Sequence, residues 1–196
     1  MIRRALALAL LLVSCSPRVP IAPTAARTQD PQAMAPGDWR GRGRIEASGF
    51  GRRLSADCLV RVQANGVRAV LLSDDGVVLA DLEIAASGSI QHRLADPLAS
   101  RTAQLNGLIA PFTHLPETQR TWRRGVLRAV TAQDVRWYGG DPLLLRRIEG
   151  RGWPVTITDH APVAGGLVPR MIVADGPLGI ELRLRLVELS ALTPGH

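Results

Sequence analysis

Between residues 180 and 186 the chain alternates without a slip. Ile180, Leu182, Leu184 and Leu186 fall on one side, and Glu181, Arg183 and Arg185 on the other. A period of two is the signature of a strand with one dry and one wet face. The same beat recurs near the start, where Trp39, Gly41, Gly43, Ile45 and Ala47 alternate with Arg40, Arg42, Arg44, Glu46 and Ser48. Residues 54–62 place Ala56, Cys58, Val60 and Val62 together, and 67–73 and 77–84 flank the Asp74-Asp75-Gly76 turn of a hairpin. A weaker strand follows at 89–94, and further strands are predicted at 133–138, 143–148, 153–158, 168–174 and 179–189.

The beat breaks in the middle of the chain. Asp96-Pro97 reads as an N-cap with proline at the first helical position, and Leu98, Leu105, Leu108, Ile109 and Phe112 follow at roughly helical spacing. A second short helix is expected over residues 116–124. Roughly nine strands are too many for two short helices to cover while the sheet stays flat. The expected fold is therefore α+β: a curved antiparallel sheet forming an incomplete β-barrel, with a helical lid or plug inserted mid-chain. Such a sheet, incompletely plugged, leaves an apolar cavity. The residues expected to line it as a ligand-binding site are Trp39, Ile45, Val60, Leu71, Leu79, Leu105, Leu108, Ile109, Ile157, Leu182 and Leu184. Gly41 and Gly43 remove volume from the inner face of the first strand, which implies either close helix approach or room for a ligand.

The first fourteen residues are of another kind. Arg3 and Arg4 precede an apolar run from Ala5 to Val13 that is too short to span a bilayer, as in a secretory signal peptide. The run ends Leu12-Val13-Ser14-Cys15, which resembles the lipobox of bacterial lipoproteins and makes Cys15 the expected lipidation site. Several acyl chains on Cys15 would anchor the protein stably. Pro17, Pro20, Pro23, Pro31 and Pro36 then punctuate a segment with no apolar period, which reads as a semi-rigid tether. The expected organisation is 1–14 signal peptide, 15–38 lipidated cysteine and tether, 39–189 the binding domain, and 190–196 a C-terminal tail. About 160 residues suffice for a core without disulfides, and Cys58 has no partner once Cys15 is acylated.

All 24 basic residues are arginine. With Arg3 and Arg4 removed, 22 arginines face 17 acids, a surplus of +5 dispersed along the chain. No recognition helix, zinc motif or aromatic RNA-binding motif accompanies it, so nucleic acid is not the expected partner. His92, His114, His160 and His196 lack zinc-ligand spacing, and no metal or other cofactor is expected. Asp159-His160 are neighbours on a strand end and point to opposite faces. No Gly-x-Ser-x-Gly or phosphate-binding glycine loop occurs. Cys58 sits on the apolar face, where a thiol behaves as a small inert hydrophobe. The chain does not read as an enzyme.

Three stretches resemble the LolA/LolB-type lipoprotein localisation factors. The first is Trp39-Arg40-Gly41-Arg42-Gly43-Arg44-Ile45, similar to the tryptophan and Gly-Arg pair that open the family's first strand. Leu115-Pro116 with Trp122 and Gly125 resembles its mid-chain segment. Val168-Pro169-Arg170-Met171-Ile172, leading into residues 180–186, resembles its terminal hairpin. The resemblance spans most of 39–189 and implies a curved incomplete barrel with helices forming a lid, holding acyl chains of lipids or lipoproteins. It also implies an outer-membrane lipoprotein facing the periplasm, and Ser16 resembles the residue permissive for outer-membrane delivery. The LolB type carries a protruding loop with an exposed leucine in its first half, and Asp74-Asp75-Gly76 offers no counterpart; Leu143-Leu144-Leu145 looks exposed but lies in the other half. The alternative reading is an accessory or structural lipoprotein, without ligand, docked on an envelope protein complex.

Overall fold

A computed structural model of the protein describes residues 18–24, 31, 38–150, 152–163 and 165–192. The leader, Cys15 and the last four residues lie outside the described residues. In chain order the strands are β1 (Trp39–Gly49), β2 (Arg52–Gln63), β3 (Gly66–Leu72), β4 (Val78–Ala85) and β5 (Ile90–Leu94). A 3-10 turn (Asp96–Arg101), helix α1 (Thr102–Ile109) and a second 3-10 turn (Ala110–Phe112) follow. The chain continues with β6 (Glu117–Arg123), β7 (Val126–Thr131), β8 (Val135–Gly139) and β9 (Leu144–Glu149). It ends with β10 (Val155–Val163), β11 (Gly166–Asp175) and β12 (Glu181–Ala191).

All twelve strands form one antiparallel sheet in the order β5-β4-β3-β2-β1-β12-β11-β10-β9-β8-β7-β6. The chain works outward from β1 to one edge, crosses, and works inward from the other edge until β12 lies beside β1. The helical segment between β5 and β6 must therefore traverse the sheet from edge to edge. It does so on the apolar inner face, where burial of its own apolar stripe offsets the cost of ordering it. Leu105, Leu108, Ile109 and Phe112 make that stripe at i, i+3, i+4 and i+7, and all four are buried. The Phe112 ring meets Trp39 of β1 edge-on, with centroids 5.6 Å apart, the favoured geometry for an aromatic pair. An eight-residue helix is marginal alone in water, so this packing is what holds α1.

The sheet curls until its flanks touch. The Gln133 side-chain amide, in the turn between β7 and β8, donates to the carbonyl of Gly88 in the turn between β4 and β5. These turns belong to opposite ends of the strand order.

Several expectations are corrected. Where a helix was expected over 116–124, Glu117–Arg123 form edge strand β6, and β7 joins it through Arg124-Gly125, both at positive φ (51° and 80°). Asp96 does not cap a helix: Ala95 holds the N-cap position without a side-chain bond, and the first turn is 3-10. Leu143, Leu144 and Leu145 are buried. The segment 18–24, part of the expected semi-rigid tether, touches the sheet at Ala22. Ala22 is buried and its N–H donates to the Gly125 carbonyl at 2.8 Å. Gly139 permits this, because a Cβ there would stand 1.9 Å from the Pro20 carbonyl oxygen.

Gly43 and Gly41 differ from their expected role. Arg185 O and Leu186 Cα of β12 would lie 2.0 and 2.7 Å from a Cβ on Gly43, beside a break in the β1–β12 register between Arg42 and Gly43. The missing volume at Gly43 is filled by the backbone of β12. At Gly41 it is filled by side chains of Leu189, Leu186 and Trp39. Neither glycine leaves room for a ligand.

Candidate functional site

Helix α1 has a second face. Thr102, Ala103, Asn106 and Gly107 recur along it with small or short side chains, and with Ala110 of the 3-10 turn that follows they line a cavity of about 390 Å3. Ile84 of β4 and Ile90 of β5 wall it from one flank of the sheet, and Ile148 of β9 and Val155 of β10 from the other. Trp153, Gly150 and Gly152 close it from the turn between β9 and β10. The turn comes against the helix because residue 152 has no side chain: a Cβ there would meet the Ala103 carbonyl oxygen at 2.6 Å. The volume lies within the roughly 300–1,000 Å3 of small-molecule sites.

One rim is polar and built around a buried charge. The guanidinium of Arg136 on β8, 5% exposed, donates through Nε to Asp134 Oδ1 at 2.9 Å. It also donates through Nη1 to Thr113 O (2.7 Å) and through Nη2 to Thr113 Oγ1 (2.8 Å) and Ala110 O (3.4 Å). The Thr131 hydroxyl donates to the same Asp134 oxygen at 2.8 Å. The carbonyls of Ala110 and Thr113 lie at and just beyond the end of the helical segment, where cations are favoured. Arg136 thus fastens that end to the sheet. Burial, and behind it the positive charge of Arg136, holds neighbouring His114 below the usual histidine range.

Of the described residues lining the cavity, Asp134 alone is ionisable, and it is committed to Arg136 and Thr131. The arrangement can hold an apolar guest. Cys58 is buried on the inner face, and burial pushes its thiol up to about 12, which leaves no thiolate at neutral pH.

The eleven residues expected to form the cavity are placed differently. Trp39, Ile45, Val60, Leu71, Leu105, Leu108, Ile109, Ile157 and Leu184 are buried in one continuous core, with Leu79 and Leu182 partly buried against it. Leu79 stands at the β3–β4 bulge, so Ala80, Leu82 and Ile84 take the inward positions. None of the eleven lines the cavity under α1. The leucine stripe of α1 fills the trough itself, and space remains on the helix's small-residue face. Ala103, Gly107 and Ala110 at three- and four-residue spacing were the readable signal for that face.

No protein-family model matches the sequence, and no curated protein matches it. Solved structures do. A domain assigned to the outer-membrane lipoprotein-sorting proteins of Vibrio parahaemolyticus superposes with a TM-score of 0.52 at 11% identity, covering 82% of this chain and 87% of that one. A LolA superfamily protein from Nitrosomonas europaea superposes with a TM-score of 0.51 at 15% identity, covering 87% and 91%. The chain has a LolA-type fold. At such identities the likeness is one of architecture, and the site must be argued from this chain's own residues.

On the outer face of this LolA-type sheet, His160 of β10 is held near pKa 4, chiefly by burial, then by the Arg146 guanidinium, with Asp159 opposing. The unfolded chain, with an ordinary histidine near 6.5, binds the proton more readily. Stability from this group is complete above pH about 6.5 and is lost as pH falls toward about 4. Unfolding followed from pH 7 to 4 should show this loss, and His160→Gln should flatten that part of the profile. An unchanged profile would mean that His160 protonates without cost.

Proposed function

We propose that the protein is a lipid-anchored envelope protein that takes an acyl chain of a lipid or lipoprotein into the cavity under α1. The observation that carries this reading is that cavity: apolar walls from both flanks of a curled sheet, closed by a helix face of small residues. Each buried methylene would contribute about 0.8 kcal/mol, so affinity would grow with chain length. The polar rim at Asp134, Gln133 and Thr113 would receive the wet end of the guest. In this reading Cys15 carries the anchor, Ser16 permits outer-membrane delivery, and the domain faces the periplasm. The likeness to a lipoprotein-sorting domain supports lipoprotein traffic as the setting.

The test is native mass spectrometry of the chain from residue 16 onward, with displacement of a fluorescent fatty acid. Co-purified lipid and saturable probe binding are expected. Gly107→Leu should weaken the probe at least tenfold with the fold intact, because a Cβ at 107 meets only Val155 Cγ2 at 3.5 Å and Trp153 O at 3.9 Å. A consistently bare protein that ignores the probe would reject the reading and favour the accessory lipoprotein that docks on an envelope protein.

A further inference from the structure

The outer face of β7–β10 carries a second, smaller hollow that the acyl-chain reading leaves unused. Register aligns Arg128, Trp137, Arg147 and Thr156 in one row across four strands, with Arg128 stacked 5.8 Å from the centroid of the Trp137 ring. Residues 18–20 lie beside this row. The hollow, about 190 Å3, is lined by Arg18, Arg146, Arg147, Thr156 and Thr158, with Val19, Pro20 and Ile157 as its apolar part. Three arginine side chains therefore border one small space. Arg146 is half-buried and its Nε donates to the Gly139 carbonyl at 3.3 Å. Arg147, whose side chain is only 16% exposed, pairs with Glu149 at 2.8 Å. Burial holds Arg146 below the ordinary arginine range, and its charge also bears on His160.

We propose that the hollow between Arg18, Arg146 and Arg147 binds a phosphate group. Arginine forks match phosphate oxygens in pairs, and hydroxyls at Thr156 and Thr158 border the same space. A phosphate there would give the bordering arginines a shared anionic partner. Its source is either a lipid headgroup or a soluble phosphate. In the anchored form proposed above, Cys15 precedes Arg18 by three residues, a span of at most about 10 Å. That short leash sets the hollow at headgroup depth, where basic pockets take anionic lipids. The site is separate from the cavity under α1, so its test does not depend on acyl-chain binding.

The experiment uses the chain from residue 16 onward with two probes: inorganic phosphate by calorimetric titration, and phosphatidylglycerol against phosphatidylcholine vesicles by co-sedimentation. Saturable phosphate binding is expected, weakened at least tenfold in Arg146→Gln/Arg147→Gln and unchanged in Arg40→Gln, which sits on the outer face of β1. Arg18→Gln, outside the sheet, should weaken it as well and guards against misfolding of the double variant. Selective binding to phosphatidylglycerol with the same variant sensitivity makes the ligand a headgroup. Phosphate binding without vesicle binding makes it a soluble phosphate. No saturable binding to either probe, or an equal loss in Arg40→Gln, would overturn the site.

Discussion

Replacing Arg136 by methionine will cost about 3–5 kcal/mol of folding stability, the range for breaking one side of a buried ion pair. The cost arises less from the lost attraction than from what remains. Asp134 would be left in a buried site with the Thr131 hydroxyl as its remaining side-chain donor. The Thr113 carbonyl and hydroxyl would lose their donors as well. Because Arg136 ties the end of the helical segment to β8, amide exchange in α1 should accelerate more than in β1 or β12. Asp134→Asn combined with Arg136→Met should cost clearly less than the two single changes added together, since the residues share one network. Urea unfolding of the three variants measures this. A single-variant loss below about 1 kcal/mol would mean that apolar packing alone holds the segment down.

Arg136 also illustrates what the sequence did and did not reveal. It lies in Val135-Arg136-Trp137-Tyr138, where alternation announces a strand but cannot say that an arginine points inward. Only the arrival of the helical segment on the inner face supplies its acceptors. Strand alternation was legible wherever one face is dry and the other wet, as in β1, β2 and β12. It failed at β6, whose residues Glu117-Thr118-Gln119-Arg120-Thr121-Trp122-Arg123 are nearly all exposed. An edge strand with charged residues on both faces discourages pairing with other chains and erases its own period. The two-residue turn Arg124-Gly125 ahead of Val126 was the one local sign of a hairpin. At Leu143-Leu144-Leu145 the opposite happened: both faces are covered, so three successive leucines are buried. Tyr138 lies opposite Leu145, and Gly139 lies opposite Leu144 on the side where Pro20 approaches. The site was half legible. That the sheet would curl followed from counting strands, but the leucines able to line a cavity were the ones best able to fill it.

Gly43 and Gly41 give the second large effect, through their contrast. Both lie on the inner face of β1, two residues apart, and Gly43→Ala should cost about 3 kcal/mol, at the upper end of overpacking. The obstruction is the backbone of β12: Arg185 O at 2.0 Å and Leu186 Cα at 2.7 Å from the added Cβ. Backbone in the middle of a sheet cannot step aside without parting β1 from β12, the pair that joins the two halves of the fold. At Gly41 the nearest atoms are the Leu189 Cδ2 and Leu186 Cδ1 methyls at 3.0 and 3.2 Å. Those are ends of flexible side chains, so Gly41→Ala should cost about 1 kcal/mol or less. Thermal unfolding of the two variants side by side tests the assignment. Equal losses would mean that the β1–β12 seam yields as easily as a leucine rotamer, and that Gly43 does not mark the join between the two halves of the sheet.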